Sequence, residues 1–466
     1  QAEAGIRDYK VTGVQTCALP IFTLRKSLIW KDLRSPVNMA LKVIHLATSD
    51  VEGGAARAAY RQHRALLEAG INSQMLVRFK TSTDDTVDVF NPNPQLLPRV
   101  KRVASRYYLK FWRERDIVRQ KLIKGNIAGI LTDPRSEILE KLDHSFLDGS
   151  IINIHKVQGF VDLPSLFNAL PKNIPIVVTL HDLGFMTGGC DYPEPCSQFQ
   201  QSCGKCPMIL SSNTNDTSAT IYRWKKEAYQ QRIRNSLVFV ANSHWTLDQA
   251  KSSSLLSPYP CQTIHYGLDT KIYNPQKRRM ARQALGLPEN QPIILFSSYN
   301  VSYEHKGGRY IVEALKSLNI SHKPLIVTFG SGQFTLKDYQ WVNFGRVDNE
   351  RLQSLIYQSA DIFIMPSLKE AFGQTALEAI ACGTVVAGFA VGGIPDIVVN
   401  GLNGILVPAA NASLLRNAIV DLLKNKPLRE QWIEKAEAWV NDRFSYELNA
   451  RLYLELYEKL SQNINI

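Results

Sequence analysis

The stretch SLKEAFGQTALEAIACG, residues 367–383, has the pattern that decides the fold. It follows a short apolar run, DIFIMP, and its second half has helical spacing from about Gln374. This order predicts a buried strand, then a loop that holds Glu370, then a helix that holds Glu378. A strand that leads through a loop into a helix is the repeating unit of parallel α/β sheets.

The start of that helix offers backbone amides, from about Gly373 to Thr375, that have no partner within the helix. Such amides bind anions, because the helix dipole favours negative charge there. With carboxylates at Glu370 and Glu378 on either side, the site suits a ligand that joins sugar hydroxyls to a diphosphate. An amphipathic helix with two solvated glutamates has the same spacing, and the spacing alone favours neither interpretation.

Outward from this stretch, apolar runs and helical runs alternate along the chain from Met39. A first series begins with LKVIHLA and the turn EGGAA, and a second begins with PIILFSSY after the linker Asn274–Pro275. Polar residues follow several strands, and open parallel sheets bind ligands beyond those carboxyl ends. The pattern predicts an α/β fold of two doubly wound, Rossmann-like domains that face each other across a cleft.

The composition fits a globular protein and excludes the fibrous and disordered classes. Of 466 residues, 45% are hydrophobic and 21% are charged, and this length predicts two domains. Lys and Arg total 54 against 42 Asp and Glu, and the resulting net charge of +12 favours anionic partners. No run is long enough to predict a membrane span.

Residues 1–38 are predicted to be a non-native leader. Within them Val11–Ile21, VTGVQTCALPI, resembles the translation of a DNA-sequencing adapter, and a natural leader is the alternative. Met39 opens a strand-like run, as a natural start would. Nothing at Met39 resembles a basic segment followed by an apolar core, so we predict a cytoplasmic protein without a secretory signal.

Several motifs occur in order from Met39 onward. They are Gly53–Gly54, His181–Asp182, Gly267–Leu268–Asp269, Lys306–Gly307, Glu370-x7-Glu378 around Phe372–Gly373, and Gly392–Gly393–Ile394–Pro395. Together they resemble the retaining glycosyltransferases of family 4, which have the GT-B fold. The cysteine loop after His181–Asp182 resembles the subgroup that serves capsular or extracellular polysaccharide assembly.

The resemblance implies a domain plan and an activity. Residues 39–273 would form an acceptor-side domain, 274–443 a nucleotide-sugar-binding domain, and 444–466 a helix that crosses back to the first domain. The enzyme would transfer a hexose from a UDP-, GDP- or ADP-sugar to a glycan or polyprenyl-linked acceptor with retention of configuration. Its product would belong to a capsular polysaccharide, an extracellular polysaccharide or a lipopolysaccharide. Catalysis would need no cofactor.

The resemblance also implies a role for each matching residue. Among the catalytic positions, Glu370 would contact the donor sugar and Lys306 would neutralise the departing diphosphate. His181 would lie near the sugar from the opposite domain, and Glu378 would hold the ribose hydroxyls. The other donor-binding positions, which act through the backbone or through small size, are Gly53, Gly54, Phe372, Gly373 and Gln374.

Two positions depart from the family's pattern. Many members place an arginine about five residues before the lysine, but the stretch SSYNVSYEHK has none. Lys306 is then the main cation that faces the diphosphate, unless Asn300 or His305 substitutes. Asp396 stands where glutamate is usual after the Gly-Gly-Ile-Pro turn.

Four of the seven cysteines, Cys190, Cys196, Cys203 and Cys206, follow the pattern C-x5-C-x6-C-x2-C. The terminal Cys-Gly-Lys-Cys is a turn that can bring two thiolates to one tetrahedral ion. In a cytoplasmic chain, close cysteines favour a metal over disulfides, so we predict a structural zinc, with disulfides and free thiols as alternatives. A catalytic metal is not expected, because no His, Asp or Glu set joins the cluster.

The stretch 99–124 holds ten basic and two acidic residues with four interleaved aromatic residues. Such a helix suits an anionic membrane surface, and we predict peripheral binding to the inner face of the cell membrane. A solvated helix whose aromatic residues face the core is the alternative.

Two other functions compete with a transferase. A sugar-nucleotide epimerase of the same architecture would share the cleft but need no acceptor. A zinc-bearing nucleic-acid-binding protein would account for the charge and the cysteines. It would leave Glu370, Glu378 and Lys306 unexplained, and the chain has no regular nucleic-acid motif, so we expect no nucleic-acid partner.

Overall fold

The computed structural model describes residues 41–90 and 150–462, apart from 194, 317, 319, 321, 333–335 and 337. The predicted leader, residues 1–38, and the basic stretch, residues 99–124, lie outside the described residues.

Within the described residues, the first sheet has seven strands, all paired in parallel. Its order is β3-β2-β1-β4-β5-β6-β7. The strands are β1 (Lys42–Ser49), β2 (Asn72–Phe79), β3 (Val87–Val89), β4 (Ser150–Ile154), β5 (Ile176–Leu180), β6 (Leu237–Ala241) and β7 (Cys261–Thr263). The inner strands β4, β5 and β6 are buried along their whole length, because helices cover both faces of a doubly wound sheet.

The second sheet, in the part of the chain that the structure describes, has six strands, also all parallel. Its order is β10-β9-β8-β11-β12-β13. The strands are β8 (Ile293–Asn300), β9 (Leu325–Ser331), β10 (Trp341–Asn343), β11 (Ile362–Met365), β12 (Val385–Phe389) and β13 (Gly404–Val407). Separate hydrophobic clusters pack on the two faces of this sheet, so it has its own core.

The α-helices of the described residues alternate with the strands before three of them end the chain. They are α1 (Gly54–Glu68), α2 (Leu163–Ala169), α3 (Thr217–Gln230), α4 (His244–Ser252), α5 (Arg278–Ala284), α6 (Gly308–Lys316), α7 (Glu350–Ser359), α8 (Gln374–Ala381), α9 (Ala412–Lys424), α10 (Lys426–Phe444) and α11 (Tyr446–Ser461). Side chains of Asp or Asn cap α2, α3 and α7, and they accept a hydrogen bond from the amide three residues on.

Helix α11 belongs to the second half of the sequence but packs on the first sheet. Its apolar face joins a cluster with β1, β4, β5 and β6, and Ser445 forms a backbone bridge to Leu268. The Tyr457 hydroxyl accepts hydrogen bonds from Gln62 at 3.1 Å and Asn153 at 2.7 Å. The chain therefore returns to its first domain after completing the second, while the predicted domain limits stay predictions.

The predicted fold class is confirmed: there are two parallel, doubly wound domains, and the carboxyl ends of their strands meet at a cleft. Among the described helices, none has both the length and the apolar character needed to cross a membrane.

Candidate active site

A turn after β8 and a loop after β11 hold the first pair of predicted catalytic residues. The Leu368 amide donates to the His305 carbonyl at 2.7 Å, which ties the loop to the turn. Gly307 has a φ of 72°, and a Cβ on it would lie 1.9 Å from the Pro366 carbonyl oxygen. Only glycine allows this close approach, which sets the distance between the two segments.

Within this frame Lys306 and Glu370 form an ion pair. The Nζ atom of Lys306 lies 2.7 Å from Glu370 Oε2, and the side chains are 23% and 15% exposed. Both groups are thus mostly shielded from water but reachable from the cleft. The structure brings together the two residues that the sequence assigned to the sugar and the diphosphate.

A glycine pair supports the backbone of Glu370 from the other side. The Gly393 amide donates to the Glu370 carbonyl at 3.2 Å. Gly392 has a φ of 54°, and a Cβ there would lie 1.7 Å from the same oxygen. The Gly-Gly-Ile-Pro turn therefore fixes the loop that carries the carboxylate.

Helix α8 begins beside this loop and points its N-terminus at the cleft. Its N-cap is Gly373, with a φ of 107° and no side chain to cap the helix, so the first amides stay available to an anion. The Gln374 side chain donates to the Gly54 carbonyl of the first domain at 2.9 Å. Gly53, the residue before Gly54, has a φ of 91°. The Phe372 ring is buried, and its centroid lies 4.7 Å from that of the Tyr266 ring in the first domain. The predicted donor-binding positions therefore meet at one place.

Glu378 lies one turn deeper in α8, and both of its carboxylate oxygens are engaged. Oε1 lies 2.7 Å from Nη2 of Arg61, and Oε2 accepts a hydrogen bond from the Tyr357 hydroxyl at 2.9 Å. The residue is 5% exposed. A ribose hydroxyl can reach this carboxylate only by displacing one partner or by a movement of the first domain.

Arg61, on α1 of the first domain, is a site residue that the sequence reasoning missed. It is 3% exposed and also lies 2.7 Å from Glu350 Oε1, so two carboxylates of the second domain share one guanidinium. Arg57, Arg61 and Arg64 recur at helical spacing after Gly53–Gly54, and that basic face was the available signal.

His181 follows β5 directly and is part of a buried chain of rings. Its Nδ1 lies 2.6 Å from the Tyr266 hydroxyl, and its Nε2 lies 2.9 Å from His155 Nδ1. His155 Nε2 in turn lies 2.9 Å from His45 Nδ1. Burial lowers the pKa of His181 to about 4, so its imidazole is neutral at pH 7. His181 therefore brings no charge, and a sugar hydroxyl can bond a ring nitrogen only by displacing Tyr266 or His155.

The tautomer of His181 follows from its neighbours. Asn242 donates to the Tyr266 oxygen at 2.8 Å, which leaves the Tyr266 proton for His181 Nδ1. His181 then carries its proton on Nε2 and donates to His155, and the same order continues to His45. Burial first, and then His181, lowers the pKa of His155 below its usual range, which keeps this ring neutral as well.

Asp182, the residue after His181, belongs to a charged group that links the site to the cysteine loop. Lys156 Nζ lies 2.6 Å from Asp182 Oδ2 and 2.8 Å from Asp191 Oδ2. Burial acts to raise the pKa of Asp182, but the ammonium of Lys156 holds it below its usual value. Burial and the neighbouring Asp182 raise the pKa of Asp191 to about 6.

Neither residue proposed to replace the absent arginine supplies a charge. Burial, with Lys306 beside it, lowers the pKa of His305 to about 4, so this ring is neutral at pH 7. The Asn300 side chain accepts a hydrogen bond from the Ser302 amide at 2.9 Å within its own turn. At this edge of the second sheet Lys306 is the cation that pairs with Glu370.

Asp396, the other departure from the family's pattern, joins the two domains. Its Oδ2 accepts hydrogen bonds from the His244 amide at 2.8 Å, from His244 Nδ1 at 3.0 Å and from His265 Nε2 at 3.0 Å. Burial opposes ionisation, yet these donors hold the pKa of Asp396 below its usual value. The three side chains have ligand atoms within 4.8 Å of one another, a spacing that a metal ion could bridge.

The four cysteines of the predicted zinc site line one small cavity. None of these four cysteines forms a disulfide, and Cys190 and Cys206 are buried. The cavity lies in the loop between β5 and α3, next to the Asp191 carboxylate that faces Lys156.

Comparison with known proteins identifies the second domain. Residues 277–439 match the family described as glycosyl transferases group 1. Among curated proteins, the chain is 30% identical over 189 residues to an uncharacterized glycosyltransferase of Methanocaldococcus jannaschii, an alignment that covers 38% of this chain and 47% of that protein. The chain spans about half the length of the curated relatives it matches.

Solved structures resemble the whole two-domain arrangement. The sucrose-phosphate synthase of Thermosynechococcus elongatus aligns with a TM-score of 0.64 at 19% identity, over 91% of this chain and 100% of that one. The Anabaena protein HepE in complex with UDP and glucose aligns with a TM-score of 0.59 at 18% identity, over 90% and 100%. The fold is therefore that of the GT-B glycosyltransferases, and the family match supports a group 1 glycosyltransferase.

Proposed function

We propose that this chain is a retaining hexosyltransferase that moves a sugar from a nucleotide-sugar donor to a glycan or polyprenyl-linked acceptor. The observation that carries the proposal is the Lys306–Glu370 ion pair beside the uncapped N-terminus of α8. A cation, a carboxylate and free helix amides at one sheet edge match the charges and hydroxyls of a sugar diphosphate.

The diphosphate would bind against the amides at the start of α8 with Lys306 beside it. Negative charge develops on the leaving diphosphate as the sugar bond breaks, so a preorganised ammonium there lowers the barrier. Glu370 holds Lys306 in place and presents its second oxygen to the hydroxyls of the donor sugar. Retention of configuration is proposed from the Glu370-x7-Glu378 motif.

The first domain would cover the sugar and admit the acceptor. The neutral ring of His181 lies at the carboxyl end of β5 and adds no charge there. A sugar hydroxyl would bond this ring by displacing Tyr266 or His155. The structural neighbour HepE was solved with UDP and glucose, so a UDP-hexose is the first donor to test, before GDP- and ADP-sugars.

We propose that the reaction takes place at the cytoplasmic face of the membrane. It would serve the assembly of a capsular polysaccharide, an extracellular polysaccharide or a lipopolysaccharide. The cysteine loop supports the polysaccharide assignment through its resemblance to that subgroup, and the composition of residues 99–124 supports contact with anionic lipid.

Calorimetry with UDP-glucose, GDP-mannose and ADP-glucose tests donor binding, and Glu370→Gln is the variant to compare. A polyprenyl-diphosphate-linked N-acetylhexosamine, supplied in detergent, serves as the acceptor probe. A transferase consumes the donor faster with the acceptor and gives a product with the donor's anomeric configuration by NMR. Interconversion of the sugar nucleotide without acceptor would instead identify an epimerase, and no binding of any donor would overturn both.

A further inference from the structure

The loop between β5 and α3 holds a group of features that the transferase chemistry does not use. Cys190, Cys196, Cys203 and Cys206 line its small cavity. Lys225 of α3 donates to the Thr187 carbonyl, next to the Gly188 amide that donates to Cys203 Sγ. From this arrangement we propose that the four cysteines bind one structural zinc ion.

The turn that carries the last two cysteines has the backbone of a metal-binding knuckle. Gly204 and Lys205 have φ values of 147° and 44°, so the chain reverses between Cys203 and Cys206. The Asp216 carboxylate accepts a hydrogen bond from the Cys206 amide at 2.8 Å and holds the turn. Two cysteines separated by two residues in such a turn can ligate one tetrahedral ion.

A backbone amide points at one of the sulfurs. The Gly188 amide donates to Cys203 Sγ at 3.0 Å. Such a hydrogen bond stabilises a thiolate, which is the form of cysteine that binds zinc.

A buried cation provides the independent observation. Lys225 is 4% exposed, and its ammonium donates to the carbonyls of Gly184 and Thr187. Among the described residues no carboxylate lies within ion-pair distance of Lys225, and the nearby Asp182 and Asp191 are engaged by Lys156. A buried ammonium needs a compensating negative charge, and a zinc ion with four thiolates carries a net charge of −2.

Binding would tighten the loop. Among the described residues no three of the four sulfurs lie mutually within 4.8 Å, whereas zinc–sulfur bonds of about 2.3 Å would bring them closer together. Cys190 precedes Asp191, so the ion would also fix the carboxylate that faces Lys156 beside His181. The site is therefore structural, and it supports the first-domain wall of the cleft.

Elemental analysis of untagged protein, purified with a reductant and without chelators, tests the proposal. We expect about one zinc per chain, and Cys203→Ser and Cys206→Ser should each leave a substoichiometric amount. Cys261→Ser is the matched control, because this cysteine lies outside the cluster and should retain the zinc. Zinc content does not depend on transferase activity, so the two proposals fail separately.

A second variant tests the role of the buried cation. Lys225→Met should release zinc to a chromogenic chelator on the order of tenfold faster than the native protein, whereas exposed Lys226→Met should not. Zinc removal should raise hydrogen exchange in residues 183–206 and leave residues 362–389 unchanged. Metal-free protein with four titratable thiols, two disulfides by mass, or equal zinc in all cysteine variants would each overturn the proposal.

Discussion

Arg61 of the first domain and Glu378 of the second form an ion pair with 2.7 Å between Nη2 and Oε1. The pair is buried, and Glu350 provides the guanidinium with a second carboxylate at 2.7 Å. Glu378, the residue predicted to bind the donor ribose, therefore also forms a contact between the domains. Burial acts to raise the pKa of Glu350, but Arg61 holds it below its usual value.

We expect Arg61→Met to lower the free energy of unfolding by about 3–5 kcal/mol, because it leaves the buried Glu378 and the half-buried Glu350 without their cation. Urea unfolding at pH 7 measures the loss. Arg57→Met is the matched control, one helical turn earlier. Its partners are the neutral Gln353 side chain at 2.9 Å and the 62% exposed Asp348 at 3.9 Å, and together they should contribute about 1–2 kcal/mol. Equal losses in the two variants would show that the buried ion pair contributes no more to the free energy of unfolding than the contacts of Arg57 do.

Glu378→Ala should weaken nucleotide-sugar binding by about 1.5–3 kcal/mol, the value for a hydrogen bond to a charged group. Calorimetry on the folded variant measures it. Glu350→Gln is the control, because it removes the other carboxylate from Arg61 without touching the position assigned to the ribose. If both variants weaken binding equally, Glu378 acts through the domain contact; if neither does, the ribose lies elsewhere.

The sequence predicted both sheets, because these depend on local patterns, whereas the common site of Lys306 and Glu370 was implied by the family resemblance. Apolar periodicity marks strands, and a loop after a parallel strand always lies at the same sheet edge. Arg61 was not predicted, because its partners are separated from it by hundreds of residues. The neutral state of His305 was likewise hidden, since it depends on burial.

Lys306→Ala should lower kcat by about a hundredfold to a thousandfold, equivalent to 2.7–4 kcal/mol, because it removes the charge that faces the leaving diphosphate. Lys306→Arg should restore only part of the rate, because a planar guanidinium does not replace a compact ammonium. Steady-state kinetics with saturating donor measures both. Lys316→Ala, an exposed lysine at the end of α6, is the control and should keep the native rate. A native rate in Lys306→Ala would mean that the charge lies elsewhere.

Gly392→Ala should displace the loop that carries Glu370, because the added Cβ would lie 1.7 Å from the Glu370 carbonyl oxygen. Gly401→Ala is the matched control: its φ is 81°, but no atom lies within 4 Å of the new Cβ. Both variants should lose about 1–2 kcal/mol of stability from the left-handed backbone. Only Gly392→Ala should also lower kcat/KM, and equal kinetics in the two variants would contradict the support role.

The buried histidines should make the protein less stable as the pH falls from about 6.5 towards 4. Burial lowers the pKa values of His181 and His63 to about 4, whereas the unfolded chain titrates near 6.5. Between these values the unfolded state binds more protons, so the free energy of unfolding is fully present above 6.5 and decreases below it. Asp191, whose pKa is raised to about 6, acts in the opposite direction over the same range.

Urea unfolding at intervals from pH 7.5 to 5 gives the free energy of unfolding at each pH. Titration of a buried group changes the slope of this free energy against pH, whereas a general loss of packing lowers the free energy by the same amount at every pH. His181→Asn should flatten the slope by up to about one proton, because it removes one group that must charge on unfolding. Exposed His322→Asn is the control for the substitution itself, because it exchanges the same side chains at a surface position. An identical slope in His181→Asn and the native protein would mean that His181 is charged in the folded cleft. Both of its ring nitrogens would then donate, and the Tyr266 oxygen would accept from Nδ1.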